Sequence, residues 1–206
     1  MSIVTYNNRS IRNISAIPGA AESLTHIKTV TVSSATANVT FVNGSSDVVL
    51  DNTYPIYKFV FINCLPSSDG VKLNYNFSID TGSNYNVTKT STNFYAGHLE
   101  NDSATGFGQD SGLAQSTNDA FGTVGAIGSA SDEGCSGEMF LFNPASTTFV
   151  KHFFGRVTIN GSNPQSQITY TGGYCNTTSA VDAVRVKFES GDIASGTIKL
   201  YGIKDS

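Results

Sequence analysis

The sequence predicts an all-β protein, a jelly-roll-like antiparallel β-sandwich with a short N-terminal attachment arm, and three observations predict it. Val71, Leu73, Tyr75, Phe77 and Ile79 alternate with Lys72, Asn74, Asn76, Ser78 and Asp80 without exception, which is the period of two that a strand with one wet face requires. Nowhere do apolar residues hold an i, i+3, i+4, i+7 pattern between caps, so no helix of ordinary length is expected. Clusters of Gly, Ser, Asn and Asp divide the remaining apolar stretches, and about nine or ten strands so separated favour two packed sheets.

The elements follow in chain order. Residues 1 to 24 form the arm. Ile11, Ile14 and Ile17 recur every three residues before Pro18-Gly19, with Arg9 and Arg12 beside them. That spacing fits one face of a short helix, an extended arm or a three-per-turn segment against a partner. An apolar stripe outside the sheet pattern needs a cover and either lies over the domain's own base or docks onto something else; for docking, Arg9, Ile11, Arg12, Ile14, Ile17 and Pro18 are the candidate partner-docking residues.

Residues 25 to 206 form the sandwich domain. Ile27 to Val32 is a β-branched run, and Ala37, Val39 and Phe41 alternate up to the turn at Asn43-Gly44. Val48 to Leu50 is a short strand. Tyr54 to Cys64 is apolar on both parities apart from Lys58 and Asn63, as in a central strand covered on both faces. After the strand at Val71 comes a weaker one from Val87 to Tyr95. Residues 97 to 137 show no clear periodicity, which signals a functional excursion or short irregular strands. Glu138 to Phe142 and Thr147 to Phe154 predict a hairpin turning at Ala145-Ser146, followed by short runs at Val157 to Ile159 and Gln167 to Tyr170. Val184 to Phe188 and Thr197 to Lys204 predict a closing strand pair.

The chain has 206 residues, enough for one domain with a sizeable core. Only 14% of them are charged and the formal net charge is -4. No basic patch tracks a phosphate backbone, which argues against nucleic acid. No apolar run of about 18 residues predicts membrane insertion. The opening residues lack the features of a signal peptide, so synthesis in a cytoplasm is expected. Cys64, Cys135 and Cys175 lie far apart in sequence with no metal or redox spacing and read as buried thiols.

Titratable groups are few. His26 and His152 sit in predicted strands, and His98, near Glu100 and Asp102, is the best ligand or acid-base candidate without making a metal motif. Asp69, Asp80 and Asp192 belong to turns that lack the spacing of a calcium loop. No catalytic residue, metal site or cofactor is therefore expected. Trp is absent, which weakens a carbohydrate-binding reading, although Tyr85, Phe94, Tyr95 and Tyr174 are rings that stack on sugars when exposed. Tyr95, His98, Phe107 and Phe121 are the candidate receptor-contact residues.

The closing segments AVRVKFESGDIASG and SGTIKLYGIK, the segment VVLDNTYPIYKFVFIN, the hairpin SGEMFLFNPASTTFVKHFFGR and the opening NRSIRNISAIP resemble small β-rich structural proteins of marine tailed bacteriophages. The resemblance spans most of the chain outside residues 97 to 137 and brings no catalytic motif. It implies a virion component made in the host bacterial cytoplasm, with other virion proteins as partners: the major capsid protein, or tail and connector subunits. It also implies a homotrimer, where the sequence alone allows a monomer. The expected role is capsid decoration, cement or head fibre, docked through the arm. The alternatives are a receptor-binding tail fibre or tail tip that recognises a host surface glycan or protein, and a carbohydrate-binding module.

Overall fold

The computed structural model describes residues 24–109, 116–117 and 125–204. The candidate arm residues Arg9, Ile11, Arg12, Ile14, Ile17 and Pro18 therefore lie outside the described residues, as does Phe121. Among the described residues there are twelve strands and no helix. They are β1 (Leu24–Val32), β2 (Val39–Val42), β3 (Ile56–Pro66), β4 (Leu73–Ser78), β5 (Lys89–Leu99), β6 (Thr105–Gly108), β7 (Ser116–Thr117), β8 (Gly134–Phe142), β9 (Lys151–Asn160), β10 (Gln165–Cys175), β11 (Ala183–Phe188) and β12 (Ile193–Ile203).

Nine strands form one sheet, in the order β1-β12-β3-β8-β9-β10-β5-β6 with β7 also on β5, and three form another, in the order β2-β11-β4. Every pairing is antiparallel. Along the chain, β1, β3, β8 and β12 of the larger sheet alternate with β2, β4 and β11 of the smaller. This exchange between sheets is the Greek-key habit of a jelly roll. The β9–β10 hairpin then carries the larger sheet out to β5 and β6.

Alternation along each strand decides what fills the space between the sheets. Tyr57, Phe59 and Phe61 of β3, Met139 and Leu141 of β8, and Phe153, Val157 and Ile159 of β9 are all buried. They meet Phe41, Tyr75, Phe77, Val184 and Val186 of the smaller sheet in one hydrophobic cluster. Rings bridge the two sheets: Phe41 lies 5.4 Å from Phe59 edge-on, and Phe153 lies 5.9 Å from Tyr75 and 5.3 Å from Phe77.

Three expectations change. β11 and β12 are not a pair: β11 lies between β2 and β4, and β12 between β1 and β3, because the turn after Glu189 crosses from one sheet to the other. The wet face of β4 is covered, with Asn74, Asn76 and Ser78 all buried. The loop after β4 folds back over it, so the Asn76 amide donates to Tyr85 O at 2.6 Å and the Ser78 hydroxyl donates to Asp80 Oδ1 at 2.7 Å. Arg185 stacks on the Tyr85 ring at 4.7 Å, roofing the smaller sheet. Finally, Val48 to Leu50 and Thr147 to Val150 are not strands; β9 begins only at Lys151.

Two lysines are fully buried. Lys89 and Lys151 flank Cys175 in one row across β5, β10 and β9. The Lys89 ammonium donates to Asn76 Oδ1 at 2.6 Å, and Lys151 donates to Phe149 O at 3.0 Å, because a buried ammonium requires acceptors. Desolvation lowers the Lys151 pKa, and it pushes the Cys175 thiol up to about 12.

Candidate docking face

The outward side of the larger sheet carries an aromatic row. Because Met139, Leu141 and Phe153 point into the core, their strand neighbours Phe140, Phe142 and Phe154 point out. Register then extends the row: Phe140 is opposite Phe154, Tyr170 is opposite Phe94, and Phe107 is opposite Ala96. Six rings from β8, β9, β10, β5 and β6 thus share one face. Phe94 and Phe154 are each 46% exposed and Phe107 is 79% exposed, where an average surface strand would carry polar residues.

The rings stack in two groups. Phe154 lies 4.9 Å from Phe140 and 5.8 Å from Phe142, and Phe94 lies 4.8 Å from Tyr170 with the planes 8° apart. Parallel rings this close pack face against face. Between the groups is Gly172, level with Phe154 and Thr92. Its lack of a side chain opens a groove of about 290 Å³ lined by Phe154, Phe94, Tyr170 and Thr92. The groove walls are apolar.

Charges border the row on one side. Glu138 accepts from Lys58 at 2.6 Å and from Arg156 at 2.9 Å, and the hydrogen bond from Lys58 leads the effects that hold its pKa below the usual carboxylate value. The Lys58 ammonium also sits 5.1 Å from the Phe140 ring centre. On the other side, Gln109 donates to the Thr92 hydroxyl at 3.1 Å. An apolar strip with a polar margin is the anatomy of a protein interface.

Of the candidate receptor-contact residues that are described, Phe107 and His98 lie on the aromatic face, toward the β5–β6 hairpin, and Tyr95 on the opposite face of β5. His98 Nε2 lies 2.8 Å from Asp102 Oδ1, with both side chains exposed, so the pair is a surface contact of the hairpin. His152 is exposed next to Tyr174 and His26 is hydrogen-bonded to Thr29; the structure does not bring the three histidines together. Asp80 accepts from Ser78 and Asn84 and so closes its own turn, whereas Asp69 accepts from the Ser129 N–H and ties its turn to the segment before β8. Among the described residues no group of three His, Cys, Asp or Glu is placed to hold a metal, and no helix is long and apolar enough to cross a membrane.

Sequence reading named Phe94 and Phe107 but missed Phe140, Phe142, Phe154 and Tyr170. The available signal was apolarity on both parities of EMFLF and of Phe153-Phe154. The same signal marks a doubly covered strand, and only the sheet order shows that nothing described in the chain covers this face. Comparison of the chain with protein-family models, with curated proteins and with solved structures finds no match in any of the three.

Proposed function

We propose that the protein is a non-enzymatic structural protein of a bacteriophage particle, a sandwich that decorates or cements the capsid or forms a head fibre, and that a neighbouring virion protein covers its aromatic row. The observation that carries the docking half is the row itself: six outward rings on five adjacent strands, in a protein whose core is already filled by other side chains. The virion half is supported by the sequence resemblance. The occupant that suits the groove is a polypeptide with apolar side chains, because aromatic walls and a glycine floor accept a methyl-rich or aromatic side chain. A sugar instead stacks on a free ring face, and in each pair the partner ring already takes one face. This argues against the carbohydrate-binding module.

The test is particle occupancy. Virions assembled with the double variant Phe94→Ala, Phe154→Ala are expected to carry at least tenfold fewer copies than wild type, while the purified variant keeps its fold. Full occupancy would remove the row from the docking account. Deleting residues 1 to 23 tests the arm in the same assay, with loss of particle binding expected.

A second reading, receptor binding, is favoured by one observation: Phe107 and His98 share one face of the β5–β6 hairpin at the edge of the larger sheet. On that reading Phe107→Ala lowers host adsorption and leaves occupancy unchanged.

A further inference from the structure

Cys64 and Cys135 are separated by much of the chain, yet they face each other across β3 and β8. The bulge in β3 is what brings this about. Phe61 pairs with Gly137 and Cys64 with Cys135, so β3 spends one more residue than β8 between the two pairs. That extra residue, in a stretch where Asn63 has φ of 47°, switches parity and turns Cys64 into the core beside Phe61. The Cys135 thiol donates a hydrogen bond to Cys64, which lowers the Cys64 pKa and raises that of Cys135.

The surroundings hold the pair in place. Gly134, at φ of 131°, would place a Cβ 3.0 Å from Cys64 O, and Gly196, at φ of 137°, would place one 2.8 Å from Cys64 Cα and 3.1 Å from its sulfur. Two glycines therefore let neighbouring backbone close on Cys64 from β8 and β12. Both thiols are buried, but Cys135 also borders a surface depression of about 300 Å³ lined by Asn63, Asp132, Glu133 and Ser136. The two carboxylates disfavour an anionic oxidant there, whereas an uncharged one of water-like size is admitted.

We propose that Cys64 and Cys135 are a built site for a cross-strand disulfide, formed by a small neutral peroxide. The Cys64 sulfur, as the thiolate that the Cys135 hydrogen bond holds, attacks one peroxide oxygen; the O–O bond breaks, giving a sulfenic acid and, after proton uptake, one water. Cys135 then attacks the sulfenic sulfur on Cys64, the S–O bond breaks, the S–S bond forms and a second water leaves. Two thiols lose two electrons and two hydrogens, and one peroxide is reduced to two waters. Chain synthesised in a reducing compartment stays open, and oxidising surroundings staple β3 to β8. The staple closes a loop of roughly seventy residues, which restricts the unfolded chain strongly. It is independent of the docking proposal.

The test uses the purified full-length protein and hydrogen peroxide. Thiol titration in denaturant is expected to fall from three thiols to one, peptide mapping to find Cys64 joined to Cys135, and the Tm to rise by several degrees and return on reduction. Cys175→Ser is expected to keep the cross-link and its Tm shift. Cys135→Ser is expected to lose both. Sulfinic acid at Cys64 or Cys135 without a link, three remaining thiols, or a link that needs Cys175 would each overturn the proposal.

Discussion

Phe154 and Phe59 are the same residue type on neighbouring parts of one sheet, and they do different work. Phe59 is fully buried against Phe41, so Phe59→Ala is expected to lower stability by about 3–5 kcal/mol. Phe154 stands half exposed, and Phe154→Ala is expected to lower it by about 1 kcal/mol or less. Denaturant midpoints of the two variants check the contrast, and equal losses would mean that the row is part of the folding core. Titration gives a second prediction at this scale. Burial pushes the Tyr57 hydroxyl up to about 12 and the Cys175 thiol up to about 12, so the folded state binds these protons more tightly than the unfolded chain. Their contribution is complete below their ordinary values of 10.0 and 9.0 and is lost as pH rises toward 12. Burial raises the pKa of the Tyr75 and Tyr85 hydroxyls in the same sense, while Lys151, whose pKa burial lowers, opposes this over part of the range. The guanidinium midpoint is expected to be lower at pH 11 than at pH 8; a flat profile would contradict the buried hydroxyl and thiol.

Adjacent glycines in β10 separate what the larger sheet needs from what the groove tolerates. A Cβ on Gly173 would lie 2.3 Å from Thr90 O and 2.8 Å from Ser91 Cα, both backbone atoms of β5. One on Gly172 would meet nothing closer than 3.7 Å. Gly173→Ala is therefore expected to loosen the β5–β10 pairing and lower the Tm by many degrees, and Gly172→Ala to leave it within about 2 °C. Thermal unfolding of the pair checks this, and equal tolerance would place the strands wrongly. The same elements show what the sequence made legible. Period-two stretches such as Val71 to Asp80 located strands well, because alternation reports which face is apolar. They did not report what covers the polar face: Asn76 and Ser78 meet a loop that folds back from later in the chain. Strand partners are equally silent, since β5 pairs with β10 rather than with β4, its predecessor.

For the whole molecule, sheet order does the decisive work. The all-β class and the two-sheet arrangement were readable from composition and period. The aromatic row was not, because its six rings come from five strands that only the order β8-β9-β10-β5-β6 makes neighbours. The facing of Cys64 and Cys135 was hidden for the same reason, with a bulge deciding it. A filled core, an apolar outer strip and a charged margin at Lys58, Glu138 and Arg156 together support the proposal that the domain works by being covered. That is the central claim, and electron cryomicroscopy of the intact particle at side-chain resolution tests it most directly. The account predicts density for this chain on the particle, with Phe154, Phe94 and Tyr170 buried under apolar side chains of a neighbouring subunit. A chain absent from the particle, or one present with those rings facing solvent, would contradict it.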